Sequence, residues 1–216
     1  MIPVYCISGL GADERVFSKL ALKKCSIHFI KWILPQKNES IESYANRLCE
    51  QIKDKEPILI GVSFGGIMAV EIAKIIPCKK IFLISSIKQQ NELPWWIKLA
   101  GSLKINRMIP YQPNRFLLGA FENYFLSPES QQEKELMHSF RGKADVHYVR
   151  WALDKILRWT NIVIPPHTVN ILGDRDKFFS IKKANPDFII KRGGHFMVYN
   201  RAVEISNIIQ KELESL

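Results

Sequence analysis

The stretch Ile58-Leu-Ile-Gly-Val-Ser-Phe-Gly-Gly66 places one hydroxyl where an apolar run gives way to a helix-like segment. Gly61-Val62-Ser63-Phe64-Gly65 reads G-x-S-x-G, the pattern of a serine held on a sharp strand-to-helix turn. Small residues at 61 and 65 let strand and helix approach, and the turn lifts Ser63 Oγ over the carboxyl end of a sheet. A serine nucleophile needs a base and a group to orient that base. Of five histidines, His28 falls in a strand-like run, His138 and His147 in helical segments, and His167 enters a strand beside Pro166. His195 differs: it follows Gly193-Gly194 in a loop after the last strand-like run and before the last helix, where ligands bind in open α/β folds. The turn Gly173-Asp-Arg-Asp176 offers two carboxylates, Asp174 and Asp176, giving the chain order Ser, Asp, His. Ser63 would attack an acyl carbon, His195 would move the proton, and an aspartate would hold the imidazole.

An oxyanion formed at the acyl carbon needs N–H donors. One is the N–H of Phe64, next after the nucleophile. The loop Ser8-Gly9-Leu10-Gly11 after the first strand supplies the second, with the N–H of Leu10 as the candidate. A dinucleotide loop G-x-G-x-x-G is not completed there, because Glu14 stands at the third glycine position.

These residues need a scaffold that brings strand ends together. Six β-rich runs recur, at Val4–Ile7, Ile27–Ile33, Ile58–Val62, Ile81–Ser85, Thr168–Leu172 and Phe188–Ile190. They are mostly continuous apolar runs, as in parallel strands buried on both faces. Between several of them lie helical periods. Ile41, Tyr44, Ala45, Leu48, Cys49 and Ile52 share one face, with Ser40 placed as N-cap. The helix after Ser63 runs to about Ile76, before Pro77, and the chain ends in an amphipathic helix from Arg201. Strand alternating with helix predicts an α/β fold with a mostly parallel sheet of about six strands flanked by helices. Residues 88–161 break the alternation with helices only, among them one whose face is Val146, Val149, Leu153, Ile156 and Leu157. The expected organisation is a core of residues 1–87 and 162–216 with a helical cap at 88–161. Trp95, Trp96, Phe121, Tyr124 and Phe125 are candidates to line an apolar substrate pocket under that cap.

Composition narrows the partners. The 216 residues are 47% hydrophobic and 24% charged, as in an ordinary globular protein. No long uncharged apolar window predicts a membrane span, and the first residues have no basic-then-apolar pattern of a secretory signal. The net charge of +10 is spread along the chain with no long basic run, so a solvated basic surface is expected rather than nucleic-acid binding. Cys6, Cys25, Cys49 and Cys78 lack CxxC spacing, which fits reduced thiols in a cytoplasm and neither a disulfide framework nor a metal site.

At the Ser8–Gly11 loop, the Gly61–Gly65 turn, the Gly173–Asp176 turn and the Gly194-His195 loop, the chain resembles the α/β-hydrolase superfamily over nearly its whole length. The resemblance implies a Ser-Asp-His triad, a helical cap and no cofactor. It favours Asp176 as the acid, since the family's acid usually falls on the third residue after this glycine. It matches the first strand here to the family's third, so the usual two N-terminal strands are absent. Ser8 stands where many members have histidine. Serine at position 63 argues against the haloalkane dehalogenase and epoxide hydrolase branches, which use aspartate. The expected activity is hydrolysis of a small carboxylic ester or thioester. An acyl-CoA or acyl-carrier thioesterase, a lyase of the same fold, and a non-catalytic binding protein are the alternatives.

Overall fold

The computed structural model describes residues 1–102, 115–140 and 145–216. Among them, six parallel strands form one sheet: β1 (Ile2–Ile7), β2 (Cys25–Ile30), β3 (Ile58–Val62), β4 (Lys80–Ile84), β5 (Thr168–Gly173) and β6 (Phe188–Ile190). Their order is β2-β1-β3-β4-β5-β6. The chain steps from β1 to β2 in one direction and then crosses to β3 on the other side of β1. The loops leaving the carboxyl ends of β1 and β3 therefore diverge, and a crevice opens between them. The register sets Ile7 opposite Gly61, so the two loops start side by side.

The pleat sends alternate side chains to opposite faces. Tyr5, Ile7, Leu59, Ile81, Leu83 and Leu172 pack on one face against α1 (Ile41–Cys49) and α2 (Phe64–Ala73). Val4, Cys6, Ile58, Ile60, Phe82, Ile84 and Ile171 pack on the other, where Ile205, Ile209 and Leu213 of the C-terminal helix (Ala202–Glu214) cover them. Ser40 caps α1 by accepting from Ser43 N–H. α2 is buried at every position from Phe64 to Ile72, which explains a sequence apolar on all sides but for Glu71.

β2 differs from expectation in both extent and burial. It stops at Ile30 because β1 ends at Ile7, its last partner, and nothing remains to pair with residues 31–33. Instead Tyr44 Oη donates to Ile33 O and accepts from Ile33 N–H, turning that segment in over α1. As an edge strand β2 leaves Ile27 and Phe29 exposed.

Between β4 and β5 the described elements are all helical: α3 (Trp95–Ser102), α4 (Arg115–Leu126), α5 (Gln131–Phe140) and α6 (Val146–Leu157). α6 is capped by Asp145, whose carboxylate accepts from His147 and Tyr148 N–H. Its buried residues are Tyr148 and Ala152, while Val146 is exposed. Val149, Ile156 and Leu157 of the expected face pack against the core half-buried, and the buried part lies beside them, where Tyr148 and Trp151 pack on Trp32 and Tyr44. Tyr148, Ala152 and Trp159 share the core cluster of α1 and α2. Three short or terminal helices complete the chain: α7 (Ile181–Ala184), α8 (Met197–Asn200) and α9 (Ala202–Glu214). Among the described residues, no helix is long and apolar enough to cross a membrane.

One buried carboxylate links α6 to the core. Glu71 of α2 accepts from Trp159 Nε1–H at 2.8 Å and lies 2.6 Å from Lys74 Nζ. Glu71→Ala leaves a buried indole N–H without an acceptor, and thermal or urea unfolding should register a loss of about 2–3 kcal/mol.

Candidate active site

Ser63 joins β3 to α2 with φ 54° and ψ −119°. A non-glycine residue in this region carries strain of about 1–3 kcal/mol and persists only where its surroundings impose it. Here the imposition is visible. Ser63 N–H donates to Ile84 O at 3.0 Å, which extends the β3–β4 ladder into the turn. The Ser63 carbonyl accepts from Gly66 N–H at 2.9 Å, from Ile67 N–H at 3.3 Å and from Ser86 Oγ at 2.7 Å. A Cβ on Gly65 would overlap the carbonyls of Ile7 and Ser8, and one on Gly66 would overlap the Ser86 side chain. The start of α2 therefore sits directly on the end of β1.

His195 lies in the loop between β6 and α8, and Asp176 in the loop after β5. These two loops are stitched together: Asp174 N–H donates to Ile190 O at 3.1 Å and Arg175 N–H to Gly193 O at 2.9 Å. Gly173 is required at this crossing, because a Cβ there would run into the Gly193 backbone. The result is a chain of three side chains. His195 Nε2 is 2.9 Å from Ser63 Oγ, and His195 Nδ1 is 2.9 Å from Asp176 Oδ2. The Asp176 side chain is fully buried and that of His195 nearly so. Asp176 Oδ1 accepts from Phe178 N–H at 2.8 Å and Phe179 N–H at 3.0 Å, so both carboxylate oxygens are used. With Asp176 ionised it is acceptor only, so Nδ1 carries the proton and Nε2 accepts from the serine hydroxyl.

Asp174, the other carboxylate of the turn, is exposed. Glu92, a carboxylate past β4, is buried and accepts from Lys88 N–H at 2.8 Å, and burial raises its pKa. His28, His138 and His147 are exposed, and His167 stands before β5 with φ 59°. Among the described residues, no group of three or more His, Cys, Asp or Glu could hold a metal ion.

The loop after β1 packs on the elbow. Ala12 N–H donates to Gly9 O at 3.1 Å, closing a turn in which Gly11 has φ 74°, a value suited to glycine at the third position of a type II turn. A Cβ added to Gly9 would lie 3.5 Å from Ser63 Cβ. Leu10 is thus in the turn next to the serine, and Phe64 is the first residue of α2, whose N–H has no intrahelical acceptor. A cleft of about 310 Å³ borders this turn, lined in part by Ser8, Gly11, Ala12, Trp32, Phe140 and Tyr148.

The aromatic candidates divide. Trp96 packs on Phe125 (centroids 5.9 Å apart), Phe125 on Phe178 (4.6 Å), and Phe178 on His195 (4.6 Å). Trp96 and Phe125 therefore belong to an aromatic series that ends on the imidazole. Trp95 is exposed, and the Phe121 side chain lies outside the described residues. Tyr124 faces Lys177, whose Nζ sits 3.8 Å above its ring and donates to its carbonyl. Sequence reasoning missed Phe178 and Phe179, which follow the acid directly, and Ser86 and Trp32. Only the pair Phe178-Phe179, two and three residues past Asp176, was open to detection, by analogy with an Asx turn.

No protein-family model and no curated protein matches the chain. Solved structures do. A thermophilic esterase from Thermogutta terrifontis superposes with TM-score 0.73 at 12% identity, over 100% of this chain and 90% of its own. A bromoperoxidase from Bacillus anthracis gives 0.71 at 16%, over 99% and 92%. A meta-cleavage product hydrolase from Pseudomonas fluorescens IP01 gives 0.70 at 13%, over 100% and 91%. The chain has the α/β-hydrolase fold.

The elbow geometry yields a stability prediction. Gly65→Ala should destabilise the protein by about 3 kcal/mol or more, the upper end for overpacking, because the obstructing atoms are backbone carbonyls. A melting temperature equal to that of the wild type would show that β1 and α2 can part at no cost.

Proposed function

We propose that the protein is a serine hydrolase that cleaves a small carboxylic ester or thioester through an acyl-enzyme. The observation that carries this reading is the continuous hydrogen-bonded series Ser63–His195–Asp176, set at the crevice between β1 and β3. Ser63 Oγ attacks the acyl carbon while His195 Nε2 takes its proton. Asp176 holds the Nδ1–H tautomer and stabilises the imidazolium. The N–H groups of Phe64 and Leu10 bind the oxyanion. The proton on Nε2 then passes to the leaving alkoxide or thiolate as the tetrahedral intermediate collapses. Water, deprotonated by His195, attacks the acyl-enzyme; collapse releases the acid and returns the proton to Ser63.

Other features support the same reading. Burial raises the pKa of all four thiols, that of Cys78 to about 12, so no cysteine among them competes as a thiolate near neutral pH. The four thiols are free, in keeping with a cytoplasmic protein. The segment 88–161 is proposed as a cap over the site, since the Trp96–Phe125–Phe178 series leads from its helices to His195. Two of the structural neighbours are described as an esterase and a hydrolase.

Hydrolysis of a p-nitrophenyl ester by three variants tests the mechanism. Ser63→Ala should lose on the order of 10⁶ in kcat. Asp176→Asn keeps the shape of the carboxylate but favours the wrong imidazole tautomer, and should lose about 10³ or more. Asp174→Asn should lose about tenfold at most, through a looser turn. Circular dichroism confirms folding in each case. Full activity in Ser63→Ala, or an inactive Asp174→Asn beside an active Asp176→Asn, contradicts the assignment.

A further inference from the structure

We infer that Trp32 is a positioning residue for the oxyanion turn, acting through Ser8 on one donor and by ring packing on the other. The inference rests on the serine-hydrolase reading above. Trp32 follows β2 and is remote in sequence from every group placed in the reaction. Its Nε1–H donates to Ser8 Oγ at 3.0 Å. Ser8 Oγ in turn donates to Ala12 O at 2.8 Å. The hydroxyl thus spans the base of the turn that contains Leu10, and the indole fixes the direction in which its single proton points. The Gly9–Ala12 hydrogen bond closes the same turn from within. Ser8 is buried against the cleft wall that it shares with Trp32.

The second half of the arrangement is apolar. The Trp32 ring stacks on Phe64 with centroids 5.3 Å apart. Phe64 supplies the other oxyanion N–H, and its ring is buried. One side chain therefore touches both halves of the hole. Trp32 is held by further rings, with Tyr148 of α6 at 5.3 Å and Tyr44 of α1 at 6.4 Å. The Ser8 hydroxyl crosses the base of the turn to Ala12 O, and the indole, from the segment after β2, holds it there. Oxyanion donors contribute only when preorganised toward the developing charge, so loosening the turn should act on the transition state more than on the bound ester.

The test compares Trp32→Phe, Ser8→Ala and the double variant with the wild type and Ser63→Ala on p-nitrophenyl butyrate. Each single variant should lose about tenfold or more in kcat, less than the 10²–10³ lost when a donor is removed outright. KM should stay within about twofold, and the acid limb of the kcat/KM profile should not move, since His195 and Asp176 are untouched. The loss in the double variant should fall well short of the product of the two single losses, because both substitutions cut the Trp32–Ser8 tether. Ser8→Ala keeps the ring packing and so remains informative if Trp32→Phe does not fold. Wild-type kcat in the folded variants, or losses that multiply in the double variant, overturns the proposal while an inactive Ser63→Ala leaves the nucleophile standing. Activity that persists in Ser63→Ala overturns both.

Discussion

The backbone at Ser63 is the constraint on which the site depends. A positive φ at a residue with a side chain is unfavourable, and here it is sustained by bonds at both ends of the residue. Its N–H belongs to the β3–β4 ladder, and its carbonyl is held by two amides of α2 and by Ser86. The helix can only begin there if it lies against the end of β1, which is why Gly65 carries no Cβ, while Gly66 leaves room for Ser86. The same contact brings the Ser8–Ala12 turn against the serine. Strain at one residue, close packing of two elements and the approach of the Gly9–Ala12 turn to the serine are thus consequences of a single geometry.

The strand order supplies the rest. Because the sheet is entered at β1 and reverses between β2 and β3, the loops after β1 and β3 share a crevice. β5 and β6 lie further along the same sheet with carboxyl ends on the same side. Their loops are bonded to each other through Gly173, Asp174, Arg175 and Gly193 before either contributes a functional group. Asp176 and His195 are consequently held as one unit against Ser63. Asp176 is fixed further by the amides of Phe178 and Phe179, whose rings then pack on His195.

How far the sequence reveals this depends on the range of the interaction. Ser63, Gly61 and Gly65 stand within five residues, and a strand-to-helix change is a local signal, so the elbow is legible. The run at Ile58–Val62 matches β3 to the residue, because central parallel strands read as continuous apolar runs, and the run at Phe188–Ile190 matches β6, which lies at the edge of the sheet. β2 runs Cys25–Ile30 rather than the expected Ile27–Ile33, because both its ends are set by pairing with Ile2–Ile7 of β1, some twenty residues away. The expected face of α6 packs on the core at Val149, Ile156 and Leu157, but Val146 is exposed and Tyr148 turns inward instead to meet Trp32, over one hundred residues earlier. The choice between Asp174 and Asp176 could not be made from spacing alone, as both sit in one turn. The geometry separates them by exposure and by distance to His195. Ser86 and Trp32 carry no motif, and their relation to Ser63 and Ser8 exists only once the sheet is assembled.

The central claim is that the fold activates the hydroxyl of Ser63. The most direct measurement is reaction of the folded protein with a fluorophosphonate, followed by mass-spectrometric location of the adduct. Attack of an activated Oγ on phosphorus expels fluoride and leaves a stable phosphonate ester. The account predicts stoichiometric modification of Ser63, abolished by unfolding the protein beforehand and strongly slowed by His195→Ala. An unmodified folded protein, or an adduct on another residue with Ser63 untouched, would contradict it.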